Sequence, residues 1–510
     1  MMTLEWQTIL LTFIITALLW MVSRWCRRIP VPPPGAQIPP MPPPSSVIGH
    51  LELLDLCLHK KALSWAKQYG PVFRLQLLSR EVVIVNDLEN LKAFSKAKEL
   101  LNRPEEMNRS QEFYKGLLTL NGQVWSANRR FCMTMLRDLG FAKCKTEEKM
   151  MRESYILKKN IDEANGEPVA MGRYIPECIT CNIATFFHGG CIPNNASVRY
   201  EFNSLLNRFL KIFGVADILV FTPKFIQRLL GHLPFTSISK GHALSQELDK
   251  FIIKEILTKP PVNAEETKRD FVQRYIKKVE ESKEETDSKF QYRHLVGHLK
   301  AFIGAGTVGA NASVLFHLAN FAANPDSLQC RVQQEIDEVL GADREPTWED
   351  RKRMPFTFAC MMETERCKTS LPLGLPRLAA KDVVVNNFFI AKGTVVLFNL
   401  WGIGNDPLYW KEPERFDPSR YLAEDGSFMP ESTRRIVPFS IGSRSCPGET
   451  FALMEIFLLI VFLLQKYRVV HHEPFQLDLR SEGVCTSDLE HVKLRFIPRH
   501  TASDVPNTFS

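Results

Sequence analysis

Near the end of the chain a single cysteine stands where a loop must turn sharply into a helix, and no other feature limits the fold as much. Cys446 lies in Pro438-Phe439-Ser440-Ile441-Gly442-Ser443-Arg444-Ser445-Cys446-Pro447-Gly448-Glu449, and the apolar run Thr450 to Gln465 follows directly. The unpaired amides and positive dipole end of a helix N-terminus stabilise a thiolate, so the placement predicts a lowered thiol pKa. A thiolate there serves either as a nucleophile or as a metal ligand. A nucleophile wants a nearby base, and the segment holds no histidine. A ligand to haem iron wants an aromatic shield (Phe439), a tight turn (Gly442), a small residue allowing close approach (Gly448) and a cation for a propionate (Arg444). All four are present.

The other end of the chain places it in the cell. Leu4 to Val22 is almost continuously apolar and makes a helix of roughly 28 Å, close to the ~30 Å hydrocarbon core of a bilayer. Arg24, Arg27 and Arg28 follow. A secretory signal puts its charge before the apolar run and a small-residue cleavage site after it. The order here is reversed, which predicts an uncleaved anchor with the arginines, and hence the rest of the chain, on the cytoplasmic side. Thiols stay reduced there, so no disulfides are expected among the 12 cysteines, and Cys178-x-x-Cys181 lacks a second pair at zinc spacing. The sequons at Asn108, Asn195 and Asn311 should stay unmodified. A net charge of +7 is too mild to indicate nucleic acid and suits an acidic partner or an anionic membrane surface.

Residues 29–50 follow the anchor as a proline-rich stretch, IPVPPPGAQIPPMPPPSS at its centre, which reads as a stiff extended spacer. From about His50 to Arg499 no second linker and no internal repeat interrupts the chain. Val72 to Leu77 and Val82 to Val85 alternate as strands of a small sheet. The Glu- and Lys-rich stretch 264–289 reads as a solvated helix and loop. His294 to Ala323 is long, apolar and free of proline, a helix crossing the core. Phe202 to Phe235 (Phe209, Phe213, Phe221, Phe225, Leu229, Leu230) is either core or a region that dips into the membrane.

The residues around Cys446 match FxxGxRxCxG, the haem-binding signature of the cytochrome P-450 family, at every fixed position. The resemblance runs from the anchor to about Arg499 and is closest to the animal microsomal members. It implies a mainly α fold with a small β region behind an N-terminal transmembrane anchor. The corresponding division is an anchor and basic stop (1–28), the spacer (29–50), a haem-thiolate catalytic domain (51–500) and a tail (501–510). It also implies haem b held by Cys446. Trp125 and Arg129, at i and i+4, match the WxxxR of a propionate-binding helix, and Arg103 and Arg377 match two further propionate-side positions. Glu363 and Arg366 resemble the ExxR pair, with Arg415 at the third position of that buried charge group.

One stretch departs from the pattern. Ala305-Gly306-Thr307-Val308-Gly309-Ala310 aligns with a helix that usually carries an acid followed by a threonine, but Val308 and Gly309 hold those positions. Thr307 falls one helical step early and points elsewhere. By resemblance the chain is a monooxygenase oxidising a small lipophilic substrate (steroid, fatty acid or xenobiotic) with O2. Its electrons come from NADPH through NADPH–cytochrome P-450 reductase, with cytochrome b5 as a further candidate donor, at the endoplasmic reticulum membrane. The alternative is an NADPH-independent haem-thiolate isomerase or dehydratase, because such branches also lack the acid–threonine pair. A haem protein without turnover is a third reading, which the intact haem-contact positions disfavour.

Overall fold

The structure, a computed structural model, describes residues 30–55, 57–77, 80–107, 115–138, 144–188, 200–206, 232–233, 236–258, 271–284, 288–473 and 492–499, with Leu18, Val198, Arg208 and Phe209 in addition. The anchor, apart from Leu18, lies outside the described residues, as do the tail and positions 213, 221, 225, 229 and 230 of the aromatic region. At the start of that region Phe202, Leu205 and Leu206 are buried core.

Helices dominate. In chain order they are α1 (Leu58–Tyr69), α2 (Leu88–Lys96), α3 (Gly122–Asp138), α4 (Cys144–Asp162), α5 (Met171–His188), α6 (Ser237–Phe251), α7 (Phe271–Glu281), α8 (Tyr292–Ala323), α9 (Cys330–Leu340), α10 (Pro355–Cys367), α11 (Leu400–Gly404) and α12 (Glu449–Lys466). The strands are β1 (Val72–Leu77), β2 (Arg80–Val85), β3 (Val169–Ala170), β4 (Arg377–Leu378), β5 (Val383–Val385), β6 (Phe388–Ile390), β7 (Val395–Phe398), β8 (Tyr467–His471) and β9 (Lys493–Pro498).

α8 explains the architecture. Its 32 residues carry apolar side chains all round rather than on one stripe, so it satisfies them only by running through the interior. Among the described residues it is the one helix long and apolar enough to cross a membrane, but most of it is buried inside the protein. Leu295, Leu299, Ile303, Val314 and Leu318 share one core with Ile179 and Ile183 of α5 and with Phe457 and Val461 of α12. At roughly 1.5–3 kcal/mol for each fully buried large aliphatic or aromatic side chain, this shared core is the main stabiliser.

The small sheet is ordered β1-β2-β7-β4. β1 and β2 form an antiparallel hairpin. β7 joins β2 in parallel, with Ile84 opposite Leu397, and β4 then pairs antiparallel to β7 with Arg377 opposite Val396. A parallel pair needs a long crossover, and here nearly the whole helical domain fills it. That crossover carries Arg377 into the interior.

The proline-rich stretch is not a free spacer throughout. Gln37 bridges to Phe388, the Arg74 amide donates to the Pro40 carbonyl at 2.8 Å, and Arg74 Nε donates to Pro39 O at 3.1 Å. Buried His50 brings Nε2 within 3.0 Å of Pro42 O. Prolines lack amide donors but keep their carbonyls, and these cap the sheet edge.

Candidate haem site

The cysteine loop is shaped by two residues at positive φ, Ser440 at 57° and Gly442 at 78°. The Cys446 amide donates back to Phe439 O at 2.8 Å, closing the loop, and Gly448 caps α12. A Cβ on Gly442 would stand 3.0 Å from the carbonyl oxygen of Ser95 at the end of α2. Gly442→Ala therefore combines a left-handed backbone penalty of about 1–2 kcal/mol with a backbone clash. We expect the thermal midpoint of the haem-loaded protein to fall by several degrees, with faster haem loss; an unchanged midpoint would show that the loop relaxes freely.

Cys446 is accessible, with the Gly448 amide donating to its sulfur at 3.4 Å. A Cβ at 448 would sit 3.9 Å from that sulfur, an ordinary contact, so the protein alone does not demand glycine there. The expected lowering of the thiol pKa is not met. Although part of its surface is open, the protein packed around the sulfur desolvates it and pushes the Cys446 thiol up, and Glu449 adds to this, while the Gly448 amide and Arg129 offset only part. Metal coordination, which deprotonates a thiol outright, is what would make it a thiolate.

The structure gathers the four predicted arginines on the segments around this loop. Arg129 of α3 donates to the Ser445 carbonyl at 2.7 Å, next to the cysteine. Arg103 is buried and donates to the carbonyls of Leu375 and Pro376 at 2.7 and 2.8 Å. Arg377 lies over the Phe398 ring at 4.7 Å. Arg444 stacks on Trp125 at 3.8 Å and donates to the carbonyls of Leu101, Leu117 and Leu120. It thus also ties the cysteine loop to the segment before α3. Asn121, which sequence reasoning missed, links the Arg103 backbone to Arg444. Its signal is its place just before the helix start at Gly122.

Burial pulls these guanidiniums down, and in Arg103 and Arg444 mutual repulsion adds to it. Arg103 falls well below its ordinary value through burial and then Arg444, Arg377 and Arg129. Arg444 is lowered to about 9 by burial, Arg377 and Arg129, and Arg377 to about 10 by burial. Among the described residues no carboxylate shares their charge. Arg103 Nε, Trp125 Nε1 and an Arg377 terminal nitrogen are buried donors with no partner. Buried cations and orphaned donors cost free energy unless an anion meets them. The two propionates and the iron of haem b fit this need: carboxylates for the arginines and an iron that accepts a thiolate ligand for the sulfur.

α8 passes this region with Ala305 exposed and open space around Gly309, where a Cβ would meet nothing within 4 Å. Thr307 does point elsewhere. Its hydroxyl donates to Ile303 O at 2.8 Å and lies 3.1 Å from Thr180 Oγ1 of α5.

The buried charge group needs one correction. Arg366 meets Glu363 through Nε at 2.7 Å and a terminal nitrogen at 2.8 Å, both side chains fully buried. Arg415 does not complete the group. Its side chain is exposed and pairs loosely with Glu412 at 3.8 Å, and only its carbonyl reaches Arg366, at 3.3 Å. Arg420 (3.3 Å) and Tyr421 (2.9 Å) take that place on Glu363, because the short helical turn Pro418–Tyr421 packs on α10 and turns them inward. The sequence around Arg415 offers two arginines five residues apart and nothing in it says which faces in.

The sequence profile of the cytochrome P450 family matches residues 39–489. Similar curated proteins include cytochrome P450 2C3 of Oryctolagus cuniculus, 29% identical over 84% of this chain and 88% of that protein. Cytochrome P450 2C8 of Homo sapiens is 28% identical over 90% of this chain and 91% of its own length, and cytochrome P450 2U1 of Bos taurus is 28% identical over 90% and 88%. An accessible cysteine before a helix, three buried arginines and a half-buried fourth short of anions, and a profile match over most of the length agree: the chain belongs to the cytochrome P450 family of haem-thiolate monooxygenases.

Proposed function

We propose that this protein oxidises a small lipophilic substrate with O2 at the endoplasmic reticulum membrane, drawing electrons from NADPH through a membrane-bound flavin reductase. The cluster of Arg103, Arg129, Arg377 and Arg444 beside Cys446, with no carboxylate counter-charge among the described residues, carries the reading, since a dianionic metal cofactor supplies the charge that their backbone contacts do not. Haem held there by Cys446 and the arginines would supply dioxygen activation, with the cysteine thiolate donating electron density to the iron. The chain's own residues hold the propionates, order the cysteine loop and exclude water. Arg130, Arg137, Arg434 and Arg435 are exposed on the segments that carry the site, which suits docking of an acidic electron donor. The apolar run Leu4 to Val22, with arginines after it, supports a single-pass anchor and a cytoplasmic catalytic domain.

The open space at Gly309 keeps a second reading in play, an isomerase or dehydratase that takes no external electrons. Product formation from a membrane lipid extract, with purified protein and reductase in reconstituted vesicles, separates the two. Under the first reading product appears only with NADPH and O2. Product formed equally without NADPH would overturn it in favour of the second.

A further inference from the structure

Thr364 and Glu365, one and two steps past Glu363 and so rotated from it by about 100° and 200°, both meet α8. Glu365 is buried, and Ser313 of α8 donates its hydroxyl to Glu365 Oε1 at 2.6 Å. Ser313 follows Gly309 by one turn. A helical side chain covers the surface over the turn before its own Cα, so Ser313 leans toward the space that Gly309 leaves open. The Ser370 hydroxyl borders the same place, 3.5 Å from Gly309 O. Two hydroxyls and a carbonyl around an open space give a water the polar partners it needs.

On its other side Glu365 lines a cavity of about 570 Å³ whose wall includes Arg351, Lys352, Phe428, Phe439 and Glu449. Lys352 and Glu449 are exposed, so this cleft reaches solvent. Glu365 thus stands between a water-accessible cleft and the turn of α8 that lacks its usual acid and hydroxyl.

We propose that Glu365 and Ser313 form a proton-carrying pair that feeds the space beside Gly309 from the cleft, doing the work of the absent acid–threonine pair. The proposal rests on the monooxygenase reading for its purpose, though not for its geometry. The steps balance. Starting from protonated Glu365 the observed bond reverses: the Ser313 hydroxyl turns to the space and passes its proton to a water there, Glu365 gives its own proton to Ser313 Oγ, and cleft water reprotonates Glu365. The net change is one proton moved from cleft to space, with both side chains restored and no electron transferred.

The surroundings suit that role. Burial raises the Glu365 carboxyl to about 7, and the Ser313 hydrogen bond offsets only part, so it both holds and releases a proton near neutrality. The charged groups nearby are Arg351, Lys352 and Glu449 across the cleft, and Glu335 and Arg331 of α9 toward the start of α10. Arg420 is engaged by Glu363. His317, one turn beyond Ser313, lies 3.2 Å from Thr364, and burial holds it down to about 3, so it stays neutral. A Glu–Ser contact that only joined two helices would work equally well as an amide, and this sets the test.

The full-length haem-loaded protein in lipid nanodiscs is titrated by infrared spectroscopy in H2O and D2O. We expect a protonated carboxylic-acid C=O band that titrates near neutrality, disappears in Glu365→Gln, shifts in Ser313→Ala and survives in Ser313→Thr. With reductase and NADPH, and no added substrate, hydrogen peroxide recovered per NADPH should change by at least about threefold in Glu365→Gln and lose its pH dependence. Ser313→Thr should match the wild type. A band unaffected by Glu365→Gln, or a pH profile unchanged in Glu365→Gln, would overturn the proposal. If the wild type consumes no NADPH, the monooxygenase reading fails, while the infrared titration still decides whether this pair carries a proton. Should Glu365→Gln not fold, the Ser313→Ala and Ser313→Thr contrast in band position decides alone.

Discussion

Cys446→Ser should abolish the thiolate-type absorption of the reduced carbon-monoxide complex and lower substrate oxidation by at least about 100-fold, equivalent to about 3 kcal/mol of barrier. The structure says why the loss is chemical rather than structural. Cys446 is accessible, its sulfur accepts only the long Gly448 contact, and the loop is closed by its backbone amide, which serine keeps. A serine hydroxyl is a hard donor and supplies none of the electron push that a thiolate gives. The polypeptide should therefore remain folded, with far-UV circular dichroism unchanged, and the four arginines should still bind haem, though less tightly. Retention of the thiolate-type band in the serine variant would remove Cys446 from its assigned role.

The cysteine loop, the crossing helix and the first hairpin were legible because each obeys a local rule. Gly442 turns where only glycine turns easily, α8 is apolar on all sides, and β1 and β2 alternate. The four arginines became legible only as a set. Alone each is an ordinary surface charge, and it is long-range folding, through the parallel β2–β7 pairing, that brings Arg377 to Arg103 and Arg444. What stayed hidden depended on tertiary packing. The inward turn of Arg420 rather than Arg415 is decided by how Pro418–Tyr421 sits on α10. The Ser313–Glu365 bond joins residues 52 positions apart, and the motif around Glu365 says nothing of which residue on α8 it meets. The upward shift of the Cys446 thiol came from burial outweighing the helix start, a contest of magnitudes that sequence does not state.

The buried charge group yields the largest expected change in stability. The Glu363 carboxylate accepts two bonds from Arg366, one from Arg420, one from the Tyr421 hydroxyl and one from the Asp417 amide at 2.8 Å. Arg366 in turn donates to the carbonyls of Gly404 and Pro413, each at 2.8 Å, so the pair pins α11 and the segment before Pro418 onto α10. Burial by itself lowers the Arg366 pKa, and the hydrogen bonds and charge of Glu363 more than reverse this. Glu363→Ala leaves burial unopposed and strands a guanidinium in the core. Breaking one side of such a pair costs about 3–5 kcal/mol, a large share of the 5–15 kcal/mol that typically holds a domain together. Urea unfolding followed by haem absorbance should show a midpoint shifted down with little change in slope. Arg415→Ala gives the contrast: an exposed pair at 3.8 Å is worth under about 1 kcal/mol, so the midpoint should barely move. Arg420→Ala should fall between them, because it removes one of several donors while Arg366 stays paired. A cost for Arg415→Ala equal to that for Glu363→Ala would restore Arg415 to the buried group and overturn the assignment of Arg420 and Tyr421.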